Sequence, residues 1–258
     1  MLQLLDETWK NRELIWALAL KELRVRYKRS ALGFLWALLN PLLMMVILTV
    51  VFSTIMRIQI DHYAVFLLSA LLPWTLFSQS LAYGVESIVG NGELLKKIYI
   101  AKSVFPTAAV LSNVINFFFS LIPLIILLPL LRFPFHWTWI YLPVPLLGLI
   151  LFALGCSFFL AMANVFFRDV AHMLQVILSA WFYVSPIIYS LDFVPARYKL
   201  LFHLNPMLYL LNGFRLAIYY GLLPSPQSAA ASLGCGALGL FLGYSIFRRY
   251  QDTLVFYV

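Results

Sequence analysis

Charged side chains are scarce in this chain of 258 residues. They make up 11% of the sequence, whereas hydrophobic residues make up 63%. Soluble domains carry about 25% charged and about 45–50% apolar residues. A water-soluble fold of this length has too little interior to bury that much apolar surface. The composition therefore excludes an ordinary soluble domain and predicts an integral membrane protein.

Patterns typical of catalysis and of metal or cofactor binding are missing from the sequence. The histidines have no His or carboxylate partner at metal-ligand spacing; they are His62, His136, His172 and His203. No nucleophile elbow occurs, and no G-x-x-x-x-G-K-[ST] phosphate loop. We therefore expect a chain that is not an enzyme and that binds no metal, ATP or other cofactor itself.

One glycine pattern resembles a dinucleotide site but lies in the wrong context. Gly234, Gly236 and Gly239 match G-x-G-x-x-G inside a long apolar run, with no strand before them. Gly239 and Gly243 also form G-x-x-x-G, which is typical of closely packed membrane helices. We interpret these glycines as packing positions, either inside the helix bundle or between protomers.

The net charge of +8 does not indicate nucleic-acid binding, because the basic residues lie in short clusters between apolar runs.

Six runs are long enough for membrane helices of roughly 20 residues, about 32–56, 63–88, 104–131, 139–167, 170–189 and 229–247. With these spans, 13 of the 18 Lys and Arg residues lie on one side. The positive-inside rule then predicts an all-α polytopic protein with both termini in the cytoplasm.

Three other segments have distinct patterns. Residues 1–30 predict a cytoplasmic amphipathic interface helix, with a solvated helix as the alternative. Residues 91–102 form a short cytoplasmic loop with an amphipathic helix, which is typical of either a docking element or a basic anchor. Residues 192–226 are apolar but rich in proline, and we expect a re-entrant pair of short helices on the outer side. The first domain is therefore 1–30, and residues 31–258 form the transmembrane domain.

The spans contain few charged residues but many aromatic ones. Ion-coupled carriers usually need acids or bases inside the membrane, so this scarcity favours energy supplied by a partner. Most aromatic side chains are expected in the core or in interfacial belts. A subset could line a pathway for sugars, since ring faces stack on sugar C–H surfaces. The candidates are Trp36, Trp74, Phe77, Tyr83, Trp181, Tyr183 and Tyr189.

Three stretches of the sequence resemble one protein family. Residues 20–36 contain R-Y-x-x-S-x-L-G-x-x-W and continue to Asn40-Pro41. Residues 91–98 are similar to an N-x-x-L-[IL]-x-K loop, and residues 167–215 contain F-R-D, Y-V-S-P, N-P and F-R in order. Together they resemble the permease subunit of type-2 ABC exporters for polysaccharides, which serve O-antigen, capsule and teichoic acid export.

The resemblance implies a homodimer in the bacterial cytoplasmic membrane that binds two copies of a separate ATPase, which would hold ATP and Mg²⁺. The cargo would be a polyprenyl-pyrophosphate-linked polysaccharide that enters between the first and fifth spans. The resemblance implies that the ATPase contacts the loop at Glu93, Leu94, Leu95, Lys96 and Lys97. A basic rim could attract the pyrophosphate, although orientation in the membrane is an alternative role; its members are Arg24, Arg26, Lys28 and Arg29.

Other functions remain open from the sequence alone. A type-2 ABC permease for teichoic acid, a drug, haem or lipid would have the same architecture. A membrane-embedded glycosyl- or acyltransferase is a more distant alternative, because such an enzyme should carry clustered acids or histidines near one membrane face.

Overall fold

A computed structural model describes residues 2–28, 30–97, 100–251 and 253–256. Regular structure in these ranges is helical, without strands, so the all-α prediction is confirmed. The helices are α1 (Leu2–Lys10), α2 (Arg12–Tyr27), α3 (Trp36–Thr49), α4 (Tyr63–Glu86), α5 (Gly92–Lys97), α6 (Val104–Leu130), α7 (Pro143–Phe166), α8 (Val170–Val184), α9 (Ala196–His203), α10 (Pro206–Arg215) and α11 (Pro226–Tyr250). A 3₁₀ turn (Gly33–Leu35) precedes α3, and a π-helical segment (Val50–Ile55) extends it.

Five helical segments in the described residues are long and apolar enough to cross a membrane. They are Gly33–Ile55, Tyr63–Glu86, Val104–Leu130, Trp137–Phe166 and Pro226–Tyr250, close to five of the six predicted spans. The remaining one, predicted over 170–189, is α8 with 15 residues. At 1.5 Å per residue α8 is about 22 Å long, shorter than the hydrocarbon core. It ends at Val184, and the next residue, Ser185, is extended because it precedes Pro186 and the residue before a proline disfavours the helical conformation.

Helix α4 is the centre of the fold. Consecutive residues such as Phe66, Leu67 and Leu68 are all buried, so the first half of this helix is covered on every side. It packs against α3, α6, α7, α8 and α10. By contrast, α8 buries only Leu174, Leu178 and Phe182, and α3 buries only four of its 14 residues. The two helices α3 and α8 therefore lie at the periphery.

Glycines bring α7 and α11 into backbone contact. A Cβ atom on Gly155 would overlap the carbonyl oxygen of Gly239, and one on Gly243 would overlap that of Gly155. Gly236 lies in the same way against the carbonyl of Gly148. The packing interpretation is thus confirmed for Gly236, Gly239 and Gly243, with contacts that lie within one chain, whereas a Cβ atom on Gly234 would meet nothing within 4 Å.

The segment 192–226 contains the short helices α9 and α10. Asn205 caps α10 by accepting a hydrogen bond from the Met207 amide at 3.0 Å, and Pro206 follows as the first helical residue. Helix α9 is exposed, whereas α10 is buried against α4, α7 and α11. A π-helical turn (Leu216–Tyr220) then ends at Gly221 with φ +64°, and the His136 ring fills the space that a side chain at Gly221 would need.

Arg215, the last residue of α10, is buried and holds the chain that follows α8. Its Nη1 and Nη2 atoms donate to the carbonyl oxygens of Pro186 at 2.6 Å and Ile187 at 2.9 Å. The guanidinium carbon lies 3.9 Å from the ring centre of Phe66 on α4. The Tyr63 hydroxyl adds a hydrogen bond of 2.7 Å to the carbonyl of Ile188. These contacts join α10, α4 and residues 186–188.

The N-terminal segment differs from the single helix predicted over residues 1–30. It is interrupted at Asn11, where the backbone leaves the helical conformation with φ −102° and ψ 15°, so α1 and α2 are separate helices. The Asn11 side chain donates to the carbonyl of Glu7 at 2.8 Å. Helix α2 packs along α6 and buries Ile15, Leu18 and Leu23, while Trp16 is exposed. Contact with α6, rather than hydrophobicity alone, selects the buried face.

Candidate functional site

A cavity of about 440 Å³ lies between α3, α4 and α8. Its lining combines three aromatic rings, five polar side chains and several aliphatic ones: Asn40, Pro41, Met44, Leu71, Trp74, Thr75, Ser78, Gln79, Leu178, Ser179, Phe182 and Tyr183. This mixture separates the cavity from a second groove of about 300 Å³ between α3 and α6, whose lining is entirely aliphatic or proline. Helix α3 therefore has one side on a polar aromatic cavity and another on an apolar groove.

The polar wall of the cavity comes mainly from one face of α4. Thr75, Ser78 and Gln79 are three and four residues apart, so they share a helical face. The Thr75 hydroxyl donates to the carbonyl of Leu71 at 2.8 Å, and the Ser78 hydroxyl donates to that of Thr75 at 3.3 Å. Because their protons are used within the helix, both hydroxyl oxygens remain available as acceptors.

Two of the predicted pathway aromatics, Trp74 and Tyr183, line this cavity. Phe77 and Trp181 lie behind them, packed edge to face at 5.4 Å between ring centres. Phe77 is fully buried, and the Trp181 indole donates to Asn205 at 2.9 Å, so these two rings support the wall instead of forming it. Phe182 also lines the cavity and was not among the predicted pathway residues.

The other three predicted aromatics lie elsewhere. Trp36 is at the start of α3 and does not line the cavity. The ring of Tyr83 lies under the guanidinium of Arg26, 3.9 Å from its centre to the carbon. Tyr189 donates its hydroxyl to the carbonyl of Tyr183 at 2.7 Å. Tyr189 thus supports a lining residue without lining the cavity.

Sequence reasoning missed the polar half of this site. Asn40, Thr75, Ser78, Gln79 and Ser179 are polar residues inside strongly apolar runs. The spacing of Thr75, Ser78 and Gln79, which all lie on α4, could have identified a shared face. The candidate site residues were chosen among charged, aromatic and loop residues, so these uncharged polar side chains were left out.

The predicted basic rim divides into outward and inward residues. Arg24 on α2 and Lys28, the residue after it, are exposed, and Arg29 lies outside the described residues. Arg26 points into the protein, where its Nη1 donates to Asn113 of α6 at 3.1 Å and to Gln79 of α4 at 3.3 Å. Gln79 is a cavity residue, so Arg26 reaches the cavity wall from behind.

Two further polar contacts hold α2 against α6. The Ser112 hydroxyl donates to the Glu22 carboxylate at 3.0 Å, and the Tyr27 hydroxyl donates to Asn116 at 2.9 Å. Burial raises the pKa of the Glu22 carboxyl, while the bond from Ser112 and the charge of Arg26 act in the opposite direction. Helix α2 is therefore fastened to α6 by three polar pairs in addition to its apolar face.

The predicted ATPase-contacting residues lie on α5. Glu93, Lys96 and Lys97 are exposed, whereas Leu94 and Leu95 are half-buried. The two leucines pack against a second apolar cluster that includes Leu18 of α2, Phe105 of α6 and Phe247 of α11. The same cluster therefore supports α5 and the N-terminal helices.

Comparison with known proteins agrees with this architecture. The ABC-2 type transporter family matches residues 13–219. An O-antigen export system permease protein RfbA of Myxococcus xanthus is 34% identical over 98% of both chains. Another of that name, from Klebsiella pneumoniae, is 30% identical over 89% of this chain and 88% of its own.

A more distant relative carries a different name. The polysialic acid transport protein KpsM of Escherichia coli is 24% identical over 93% of this chain and 94% of its own. The family match and the near full-length relatives account for the multiple apolar helices and for the resemblance in residues 20–36, 91–98 and 167–215. The chain belongs to the ABC-2 type transporter family, as a multi-pass membrane permease.

Proposed function

We propose that this chain is the transmembrane subunit of an ATP-driven exporter that moves a polyprenyl-pyrophosphate-linked polysaccharide of the O-antigen type across the bacterial inner membrane. The relatives named as O-antigen export permeases support this cargo. The observation that carries the proposal is the cavity between α3, α4 and α8, because its lining has the two kinds of group that a sugar chain needs.

Sugars have apolar C–H faces and hydroxyl edges. Trp74, Phe182 and Tyr183 offer aromatic faces for the former. Gln79 and the hydroxyl oxygens of Thr75 and Ser78 offer hydrogen bonds for the latter. Individual contacts of this kind are weak, which suits a polymer that must move through the site.

The proposed topology has six spans, with α8 as the fifth, both termini in the cytoplasm and residues 192–226 re-entrant on the outer side. The distribution of Lys and Arg supports the orientation. The burial of α10 supports a re-entrant position, since irregular backbone at membrane depth requires surrounding protein.

We further propose a homodimer that binds two ATPase subunits, which supply the ATP and Mg²⁺ sites. The exposed apolar faces of the peripheral helices α3 and α8, beside the cavity, support contact with a second copy. Glu93, Lys96 and Lys97 would contact the ATPase, while Leu94 and Leu95 transmit its motion through the second apolar cluster. Arg24, Lys28 and Arg29 form the proposed rim for the lipid pyrophosphate, and of these Arg24 and Lys28 lie in the described part of the chain and are exposed. Arg26, the fourth residue of the predicted rim, is turned inward.

Depletion of the chain in its own host tests the cargo. Radiolabelled surface glycan and lipid-linked glycan are followed in cells as the protein disappears. We expect surface polymer to fall while full-length lipid-linked polymer accumulates inside. Unchanged pools of both would refute the polysaccharide proposal and leave a type-2 permease of another cargo.

Complementation connects the phenotype to the cavity. Trp74→Leu and Tyr183→Leu should restore less surface polymer than the wild-type chain, because each removes one aromatic face. Trp137→Leu is the matched control, since Trp137 is 70% exposed and does not line the cavity. Equal complementation by all three variants would mean that the cavity is not the pathway.

A further inference from the structure

Within the part of the chain that the structure describes, Arg26 is the residue of α2 whose side chain forms a hydrogen bond to the cavity wall. Its Nη1 donates to Gln79 of the cavity wall at 3.3 Å and to Asn113 of α6 at 3.1 Å. Its guanidinium carbon also lies 3.9 Å from the ring centre of Tyr83, one turn beyond Gln79 on α4. These three contacts fix the position of the guanidinium from three sides.

This contact determines how the Gln79 amide is oriented. An arginine has donors and no acceptor, so only the oxygen of Gln79 can face it. The Gln79 oxygen is therefore occupied, and its NH₂ group has no hydrogen-bond partner among the residues that the structure describes. The NH₂ group is the end that remains for a ligand in the cavity.

The neighbouring groups on the same face have the opposite polarity. The Thr75 and Ser78 hydroxyls donate to backbone carbonyls and leave their oxygens as acceptors. The wall thus offers a donor at Gln79 beside acceptors at Thr75 and Ser78. Each sugar hydroxyl is both a donor and an acceptor, so adjacent hydroxyls of one sugar unit can pair with both kinds of group.

We propose that Arg26 is a positioning residue that orients the Gln79 amide and thereby sets the hydrogen-bonding pattern that the cavity presents to glycan hydroxyl groups. This inference rests on the proposed function of the cavity. It assigns Arg26 a role on the inner side of α2, distinct from that of the exposed Arg24 and Lys28. Because α2 carries Arg26, a movement of α2 relative to α4 releases the Gln79 amide.

The test uses proteoliposomes that contain this chain and its ATPase partner. The added probe is the polyprenyl-linked glycan purified from depleted cells, and the measurement is ATP hydrolysis against glycan concentration. Arg26→Leu and Gln79→Leu should each raise the half-stimulating concentration about fivefold, the effect of one hydrogen bond. The double variant should be no worse than either single variant, and Arg26→Lys should restore most of the response, because lysine still donates to the Gln79 oxygen.

Two further variants separate positioning from simple attachment of α2. Ser112→Ala removes the hydrogen bond from α6 to Glu22 of α2 and leaves Arg26 and the cavity lining in place, so its half-stimulating concentration should match the wild type. Gln79→Glu keeps the acceptor for Arg26 but replaces the donor that faces the cavity, so it should raise that concentration at a normal protein yield, even where Arg26→Leu fails to fold.

Two results would overturn the inference while leaving the proposed function intact. One is a wild-type half-stimulating concentration for Gln79→Glu. The other is a lower maximal rate of ATP hydrolysis in Arg26→Leu with an unchanged half-stimulating concentration, together with effects of the two single variants that add in the double variant. A wild-type complex that does not respond to the glycan would overturn the proposed function, and the inference with it.

Discussion

Replacing Gly243 by alanine should separate α7 from α11. A Cβ atom at this position would overlap the carbonyl oxygen of Gly155, which is a backbone atom and cannot rotate away. The helices must move apart by on the order of 1 Å to reach ordinary contact distance. That shift also loosens the contacts of Gly236 with Gly148 and of Gly155 with Gly239, which hold the same helix pair.

The cost follows from this geometry. Overpacking a filled interior costs about 1–3 kcal/mol, and because backbone atoms are involved we expect about 3 kcal/mol for Gly243→Ala. For a chain of this length that corresponds to a fall in Tm of about 6–12 °C. Thermal unfolding of the purified protein in detergent, followed by its intrinsic fluorescence, measures the shift.

Gly234 provides the matched control on the same helix. A Cβ atom there meets nothing within 4 Å, so Gly234→Ala should be neutral or stabilising by up to about 1 kcal/mol, the helix propensity of alanine over glycine. Gly155→Ala should resemble Gly243→Ala, and their combination should cost less than the sum, since both act on one helix separation. Equal Tm values for Gly243→Ala and Gly234→Ala would refute this reasoning.

Two other predictions concern buried polar groups. Burial raises the pKa of the Glu22 carboxyl above its ordinary value of 4.5. The protonated carboxyl therefore stabilises the packing of α2 fully below pH 4.5, and this stabilisation is lost as the pH rises through the raised pKa. Glu22→Gln keeps an acceptor for Ser112 but cannot titrate. Protection of the α2 amides against hydrogen exchange, corrected for intrinsic rates, should therefore depend on pH in the wild type and not in the variant. A wild-type protection that does not change with pH would contradict this prediction. Arg215→Leu leaves the carbonyls of Pro186 and Ile187 unpaired at about 1–3 kcal/mol each. Arg215→Lys should recover only part of the lost Tm, because an ammonium group lacks the planar arrangement of donors by which the guanidinium binds two carbonyls. Arg197→Leu, at an exposed arginine, is the control. An equal Tm for both leucine variants would exclude a structural role for Arg215.

The long helices could be predicted from the sequence because each apolar run has to satisfy its own backbone hydrogen bonds in lipid. Runs at 63–88 and 104–131 became α4 and α6 within a few residues. The run at 170–189 ended early, since Pro186 makes Ser185 extended. Residues 192–226 contain enough apolar residues for several arrangements, and Arg215 and Asn205 select the observed pair of helices through contacts distant in sequence.

The cavity was harder to predict than the helices. Because α4 is buried on most of its sides, its hydrophobic pattern has no periodicity that distinguishes Trp74, on the cavity, from Phe77, packed on Phe152. The aromatic residues were identified as a set, but the structure divided them into lining and supporting rings. For Arg26, a place in the basic cluster suggested a rim residue, whereas contact with Asn113 and Gln79 turns it inward.

Composition, apolar runs and the order of a few motifs were enough to determine the class of this protein: helical, multi-pass and related to ABC-2 permeases. Those properties depend on transfer of side chains and backbone into lipid, which each segment undergoes largely by itself. The partner of each packed glycine, the three aromatic rings that line the cavity and the orientation of the Gln79 amide depend on which helices are neighbours. Only the tertiary structure decides these, because a helical side chain gains its role from the surface that it meets on another helix.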